Sequence, residues 1–262
     1  LFSLGKCSLL NRIFFICIFL VLLSSAVFAQ HSNVQVTNTT TSGGSWTTTG
    51  SGSSTLYTFT PSADNANINV VDITNRLRAA GGISTAGSVK ILTTNVGVGT
   101  QVGNVNFGVN VSASNSGSSR YRLEVDAGGD IVVSSGISLQ GGEWNNSSNF
   151  GYNVDFDAIG NVLLNSSIST SGQNVSTSSQ SARSNGGNVV LSAGGYVKVG
   201  GSITASGGIN SGTGGTNSNG GNVSITGAGG VTMTSGITTL GLGGTAGLIT
   251  INTGNGTVSS GA

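Results

Sequence analysis

Charged residues and cysteines are scarce in this 262-residue sequence, and each scarcity excludes a class of protein. Charged side chains make up 6% of the residues, with nine Lys and Arg against eight Asp and Glu. A charge so nearly balanced excludes the basic surface by which proteins bind nucleic acid or anionic membranes. The two cysteines, Cys7 and Cys17, lie near the N-terminus, so the rest of the chain has neither a disulfide framework nor thiol chemistry.

Histidine is almost missing as well, which removes most catalytic and metal chemistry. The single histidine is His31, and we expect it to be solvated and without a role. A Ser-His-Asp triad needs an internal histidine, and a zinc site needs a Cys/His cluster. None of the Gly-rich runs carries the Gly-Lys-Ser/Thr of a phosphate-binding loop. The sequence therefore predicts no enzyme and no catalytic residue.

The first 29 residues have the pattern of a secretory signal peptide. Lys6 and Arg12 supply positive charge, residues 13–23 form an apolar run, and residues 27–29 (Val-Phe-Ala) form a small-residue cleavage site. Cleavage there gives a mature chain that begins at Gln30. The apolar run is short for a membrane span and no second run follows, although an uncleaved anchor is the alternative. We expect a secreted mature chain with no transmembrane segment.

What the sequence does contain is a 19-residue pattern that returns four times. Each copy starts at an apolar residue: Leu123, Val154, Val189 and Val223. The pattern predicts an alanine at a constant distance from this start, with a glycine two residues after it: Ala127, Ala158, Ala193 and Ala228. An isoleucine stands near the end of each copy: Ile137, Ile168, Ile203 and Ile237. A repeat of this length is typical of a solenoid.

Apolar and small polar residues alternate within each copy, which indicates strands with one buried face. In the third copy the alternating stretches are 189–192, 197–199 and 203–205, with glycines between them. One copy buries too few side chains to offset the entropy of ordering its backbone, so copies must stack. The sequence therefore predicts an all-β parallel β-helix with one repeat and one variable loop per coil. Independent hairpins are the alternative.

The repeat divides the chain into four predicted regions: a signal peptide 1–29, an N-terminal β cap 30–75, degenerate first coils 76–122 and regular repeats 123–262. A cap is expected because an open sheet edge recruits other chains. A faint repeat places Leu77 and Ala79 on a strand and the next strand at 89–91. A fifth copy opens at Ile249 and stops before its isoleucine, so we expect an N-terminal fragment of a longer solenoid.

One acidic cluster stands out as a candidate ligand site. Its carboxylates occupy two equivalent positions in two successive copies: Glu124, Asp126, Asp155 and Asp157. On a β-helix they would face outward from strands about 5 Å apart, where like charges repel unless they are bridged or neutralised. Calcium prefers such oxygen ligands, so the four carboxylates are a candidate calcium site, and we expect no other cofactor. The alternatives are a solvated face neutralised by Arg120 and Arg122, which we favour over calcium, and a catalytic site.

An asparagine precedes three of the copies: Asn153, Asn188 and Asn222. Stacked asparagine side chains can form an amide ladder along a β-helix. The pattern therefore predicts a structural column of asparagines and no ligand site at these positions.

The repeats resemble those of filamentous-haemagglutinin-like bacterial exoproteins, which are large secreted β-helix adhesins. The resemblance rests on residues 187–197, Gly-Asn-Val-Val-Leu-Ser-Ala-Gly-Gly-Tyr-Val, followed by Gly-Ser-Ile-Thr at 201–204. It covers roughly residues 121–262. It implies a bacterial cell-surface protein, exported by an outer-surface secretion machinery, that attaches to glycans or proteins of a host, a matrix or a neighbouring cell.

Three functions are compatible with these patterns, and we expect the first. It is a non-enzymatic, adhesin-like stalk whose loops mediate attachment. The second is a calcium-dependent polysaccharide lyase, which needs a basic residue near the four carboxylates. The repeat places Lys198 two coils beyond Asp126, on the next strand and a different face. The third is an ice-binding protein with an outward rank of hydroxyls: Ser138, Ser169, Thr204 and Thr238. The parallel rank is irregular: Gln140, Ser171, Ser206 and Leu240.

Overall fold

The computed structural model is an all-β parallel β-solenoid of about five turns, as the repeat predicts. The structure describes residues 31–94, 99–115, 119–141, 148–174, 183–209, 218–254 and 256–260. The signal peptide and its cleavage site, predicted for residues 1–29, lie outside the described residues. Each regular coil consists of three short strands, and equivalent strands of successive coils pair to form long sheets that surround one apolar core.

Three sheets form the walls of the solenoid. The first sheet contains, in spatial order, β2 (Gly44–Thr49), β3 (Leu56–Pro61), β5 (Ser88–Leu92), β8 (Arg122–Ala127), β12 (Asn153–Ala158), β16 (Val189–Ala193), β19 (Val223–Gly227) and β22 (Ile249–Asn252). The second contains β4 (Ala66–Asn69), β1 (Val34–Thr37), β6 (Val105–Phe107), β9 (Ile131–Val133), β13 (Val162–Leu164), β17 (Tyr196–Val199), β20 (Gly230–Met233) and β23 (Val258–Ser260). The third contains β7 (Val111–Asn115), β10 (Ile137–Gly141), β14 (Ile168–Ser169), β18 (Ile203–Thr204) and β21 (Ile237–Thr238).

The repeat positions become stacked interior columns. The four residues that open the copies pair in register on the first sheet and are completely buried. Burial of one such Val or Leu stabilises the fold by roughly 1.5–3 kcal/mol. Ile249 continues the same column into the last described coil, where its exposed fraction is 42% because no other described coil lies beyond it.

The fourth corner departs from the predicted spacing. The first-sheet register pairs Ala193 with Gly227, so Ala228 lies one residue beyond the position that alanine occupies in the other copies. Gly230 correspondingly becomes the first residue of β20 and pairs with Tyr196. It has a φ of 122°, a conformation that glycine adopts without strain.

A helix, α1 (Val70–Arg78), replaces the strand that the faint repeat predicts at Leu77 and Ala79. Asn69 caps it, its side chain accepting a hydrogen bond from the backbone N–H of Val71 at 2.9 Å. Ile73 and Leu77, four residues apart, are fully buried on one helical face. The strand prediction at this point was wrong because the apolar spacing also suits a helix, and the cap decides between them.

The N-terminal region is built into the solenoid. Strand β1 pairs in parallel with β6, so residues 34–37 already form part of the second sheet. Strand β2 pairs antiparallel with β3 at the end of the first sheet, and α1 contacts β7 at the end of the third. These elements cover the starting end of the sheets, as a cap must.

His31 is buried, which contradicts the expectation that it is solvated. Its exposed fraction is 7%, and its carbonyl accepts a hydrogen bond from the backbone N–H of Gln101 at 2.9 Å. The imidazole packs so closely on Gly128 that a Cβ there would lie 2.9 Å from the ring. The expectation was wrong because residue 31 already belongs to the first coil.

Candidate functional site

The four predicted carboxylates do come together on the outer face of the first sheet. Register pairs Asp155 with Glu124 and Asp157 with Asp126, on the neighbouring strands β12 and β8. Three of the side chains are half-buried and Asp157 is exposed. The sequence therefore located this cluster correctly, because a repeat with constant spacing superimposes equivalent positions.

Two cations neutralise one half of the cluster. The Lys90 ammonium, one strand further on β5, lies 2.7 Å from Glu124 Oε1 and also contacts the carboxylate of Asp126. Arg122 Nε lies 3.0 Å from Glu124 Oε2, as the neutralised-face alternative expects. Arg120 does not take part in that way, since its guanidinium stacks on the Phe150 ring at 4.0 Å.

Lys90 is the functional residue that the sequence reasoning missed. Residues 89–91 were correctly predicted as a first strand, and that prediction already places Lys90 at the same repeat position as Glu124. The repeat spacing alone was therefore enough to place Lys90 beside Glu124. Its burial opposes the charged ammonium, but hydrogen bonds with Asp126 and Glu124 outweigh this and raise the pKa of Lys90.

The other half of the cluster is less well balanced. Partial burial raises the pKa of Asp155, and the negative charge of Glu124 adds to the effect, while Arg122 opposes it. Asp155 and Asp157 form no ion pair with any residue in the described ranges. The carboxylate of Asp155 is thus held beside like charge in a partly desolvated position.

This donor set fits an ion-paired face better than a calcium site. Glu124 and Asp126, which would be ligands, are already engaged by Lys90 and Arg122. Within the described part of the chain, no group of three or more His, Cys, Asp or Glu side chains is arranged to hold a metal ion. Calcium at Glu124, Asp126, Asp155 and Asp157 stays a prediction.

Lys198 lies on a different sheet from the four carboxylates, as the repeat predicts. Lys198 is on β17, in the second sheet, where its neighbours in register are Leu163 and Thr232. The lysine beside the carboxylates is Lys90, and the ion pairs that raise its pKa favour its protonated form. A protonated lysine cannot accept a proton from a sugar ring, so Lys90 is not poised to act as a general base.

The third sheet presents the predicted rank of hydroxyls on its outer face. The rank is in register and extends one coil beyond the repeats: Ser112, Ser138, Ser169, Thr204 and Thr238. A groove of about 290 Å³ runs beside its first members, lined by residues that include Asn110, Gly136 and Ser167. This face is therefore grooved and lined mainly by serine.

The described bases of the variable loops lie along one edge of the solenoid. On their return to the first sheet, two of them form a fourth, two-stranded sheet of β11 (Ser148–Phe150) and β15 (Arg183–Asn185). The next loop continues this stack, because the hydroxyl of Ser218 accepts from the backbone N–H of Ser184 at 3.1 Å. The loop segments 142–147, 175–182 and 210–217 lie outside the described residues. The structure therefore orders the bases of the loops in a column.

Asparagine columns hold these coils in register. The Oδ1 of Asn153 accepts from the backbone N–H of Asn188 at 2.8 Å, and the Oδ1 of Asn188 accepts from that of Asn222 at 2.9 Å. The predicted ladder is present, but each rung joins a side chain to the next backbone. A second column, at the first corner, was not predicted: Asn33, Asn104, Asp130 and Asn161.

Among the residues that the structure describes, no helix is long and apolar enough to cross a membrane. Comparisons of the chain with protein-family models, with curated proteins and with solved structures found no match.

Proposed function

We propose that this protein is a non-enzymatic attachment protein, in which the β-solenoid is a stiff stalk and the variable loops are the contact surface. The observation that carries the proposal is the column of loop bases: β11, β15 and the backbone around Ser218 stack coil upon coil on one edge. Side chains on a rigid scaffold keep their relative positions, and this lowers the entropic cost of binding.

The constant positions of the repeat and its variable loops have different roles, and this difference supports the proposed attachment function. The constant apolar positions are buried in the core or packed against it, and the constant corner glycines and asparagines serve backbone contacts. The loops differ in length and sequence, and the loop at 142–147 contains Glu143 and Trp144. Tryptophan is among the residues that contribute most to binding interfaces.

The partners and location follow from the resemblance and from the N-terminal sequence. Likeness to filamentous-haemagglutinin-like repeats supports a bacterial surface protein that binds glycans or proteins of a host, a matrix or a neighbouring cell. The signal-peptide pattern supports export, completed by an outer-surface secretion machinery. We propose both on these grounds.

Loop replacement tests the proposal directly. Beads coated with the chain are allowed to adhere to host-cell monolayers, immobilised matrix proteins and a glycan panel. We expect adhesion that falls when residues 142–147 and 210–217 are replaced by Gly-Ser linkers of equal length. The matched control is Thr232→Ser on the outer face of the second sheet, which should adhere like the parent chain. Equal adhesion of the loop variants, or no adhesion by the parent to any surface, would overturn the proposal.

The hydroxyl rank favours ice binding as a second candidate. Its members repeat about every 4.8 Å, the spacing of a sheet, which a regular ice surface could match. The adjacent groove and the irregular parallel rank count against it, because a flat face is needed. A thermal-hysteresis measurement decides: activity that is lost in Thr204→Lys supports ice binding, and no hysteresis in the parent chain dismisses it.

A further inference from the structure

Two Asn-Gly dipeptides, Asn185-Gly186 and Asn219-Gly220, lie one above the other in successive coils. We propose that Asn185 and Asn219 are latent sites of spontaneous deamidation, held unreactive by the coil stacked on each of them. The proposal concerns a covalent modification of the solenoid itself and is independent of the proposed attachment function.

The reaction needs water and no other reagent. The backbone nitrogen of the glycine attacks the side-chain amide carbon of the preceding asparagine, and the new N–C bond closes a five-membered succinimide. The bond from that carbon to the amide nitrogen breaks, and this nitrogen leaves as ammonia with the proton that the glycine nitrogen loses. Water then opens the ring at either carbonyl, so asparagine plus water becomes aspartate or isoaspartate plus ammonia. Glycine favours the step because it has no side chain to obstruct the attack.

One residue of the next coil holds both reacting groups of Asn185-Gly186. The Oδ1 of Asn185 accepts a hydrogen bond from the backbone N–H of Asn219 at 2.7 Å. The backbone N–H of Gly186, which carries the attacking nitrogen, donates to the carbonyl of the same Asn219 at 2.9 Å. The nitrogen is therefore directed at the next coil, and both hydrogen bonds must break before it can turn towards the amide carbon.

The same clamp recurs one coil later. The Oδ1 of Asn219 accepts from the backbone N–H of Thr245 at 2.9 Å, and the Gly220 N–H donates to the Thr245 carbonyl at 2.9 Å. The two sites differ in burial: Asn185 is 8% exposed and lies in β15, whereas Asn219 is exposed and lies outside the named strands. Local opening is easier where a segment is exposed, so Asn219 should react first in the folded chain.

Neither labile dipeptide can be removed by substituting its glycine without disturbing the stack. A Cβ on Gly186 would lie 2.2 Å from the carbonyl oxygen of Ala205, and a Cβ on Gly220 would lie 2.0 Å from that of Thr239. The asparagines also serve the stack, since each supplies the acceptor for the next coil. Isoaspartate adds an atom to the main chain and would displace the N–H and C=O that meet this coil. Each deamidation is irreversible, so a modified site shows that the coil stacked on it has opened.

Peptide mapping tests the inference. The intact chain is incubated at mildly alkaline pH, folded or in guanidinium chloride, and digested with trypsin. Arg183 and Lys198 flank Asn185, so its peptide is separate from the one that contains Asn219. Mass spectrometry with fragmentation then follows the conversion of each amide to an acid. In denaturant we expect similar rates at both sites. In the folded chain we expect Asn185 to react at least about tenfold more slowly than in denaturant, since a coil that is open one tenth of the time slows the reaction by that factor. We expect the rate at Asn219 in the folded chain to lie between the rate in denaturant and the folded-state rate at Asn185.

A variant localises the clamp. Thr245→Pro removes the N–H that binds the Asn219 side chain and should accelerate deamidation at Asn219 without changing it at Asn185, while circular dichroism checks the fold. If that variant unfolds, the comparison of folded and denatured parent chain still decides. Equal rates for Asn185 with and without denaturant would overturn the proposal.

Discussion

The side-chain contacts of single residues in this protein are made more with the coils on either side than with neighbours in sequence. Lys90 and Glu124 are 34 residues apart and share an ion pair, and Asn153 supports the backbone of Asn188. Side-chain substitutions should therefore act through contacts between coils.

Gly187 shows this dependence at its strongest. A Cβ on this residue would lie 2.0 Å from the carbonyl oxygen of Tyr152 in the preceding coil. We expect Gly187→Ala to lower the free energy of unfolding by about 1–3 kcal/mol, because the backbones must separate. The control is Gly236→Ala: among the described residues, apart from its chain neighbours, no atom lies within 4 Å of the added carbon, so little change is expected. Equal urea midpoints for the two variants would contradict the close-packed stack.

Asp155 should destabilise the folded chain at neutral pH. Burial and Glu124 raise its pKa in the folded state above the unfolded value, so the folded chain binds this proton more tightly. The chain therefore gains stability as pH falls through the folded pKa, and the gain is complete below the unfolded pKa. We expect Asp155→Asn to stabilise by about 0.2–1 kcal/mol at neutral pH and by nothing at acid pH. Urea unfolding of both chains against pH measures this, with exposed Asp157→Asn as the control.

Whether calcium binds the carboxylates of the first sheet depends on Lys90. Lys90→Met removes the ammonium that engages Glu124 and Asp126, which should cost about 1–3 kcal/mol because two partly buried carboxylates lose their partner. We expect added calcium to restore part of this stability and to leave the parent chain unchanged, as judged by the thermal midpoint with calcium or with chelator. An equal rise in the parent chain would instead establish the calcium site beside an intact Lys90.

Among the elements, α1 is the one that replaces a predicted strand, and its last turn contacts both the N-terminal region and the regular repeats. The guanidinium of Arg76 stacks on Trp46 of β2 at 3.9 Å. The carbonyl of Leu77 accepts from the hydroxyl of Tyr152, in the second regular coil, at 3.0 Å. The helix thereby joins the starting end of the first sheet to the regular solenoid.

The cap of α1 gives a test of this role. Asn69→Ala removes the side-chain acceptor of the Val71 N–H and should lower the free energy of unfolding by about 0.5–2 kcal/mol. Val71→Ala, on the exposed side of the same helix, is the matched control and should change little. Both are read from urea denaturation. A loss confined to the control would show that Asn69 does not cap the helix.

At the scale of the whole molecule, stability should vary along the stack. Each coil contacts its neighbours, so a central coil has two stabilising interfaces and the last described coil has one. We expect amide hydrogen exchange to be slowest in β12 and β16 and fastest in β22 and β23, where Ile249 and Val258 are exposed. Uniform protection along the chain would mean that the solenoid opens as a single unit.

The sequence by itself determined the period, the all-β class, and the inward residues of the regular coils, because a constant spacing puts equivalent residues on equivalent sites. It also located Glu124, Asp126, Asp155 and Asp157 together, since they share that spacing. The predictions failed where the spacing is imperfect: at Leu77, where a cap selects a helix, and at Ala228, where register moves the corner by one residue.

Only the tertiary structure decided what those positions contact. The pairing of Glu124 with Lys90, the burial of His31 and the backbone N–H donors of the asparagine columns all depend on neighbouring coils. Those neighbours are separated in sequence by loops of unequal length, so local pattern does not reveal them. Hydrogen bonds between stacked backbones join these distant residues, and the energetic role of each side chain follows from that pairing.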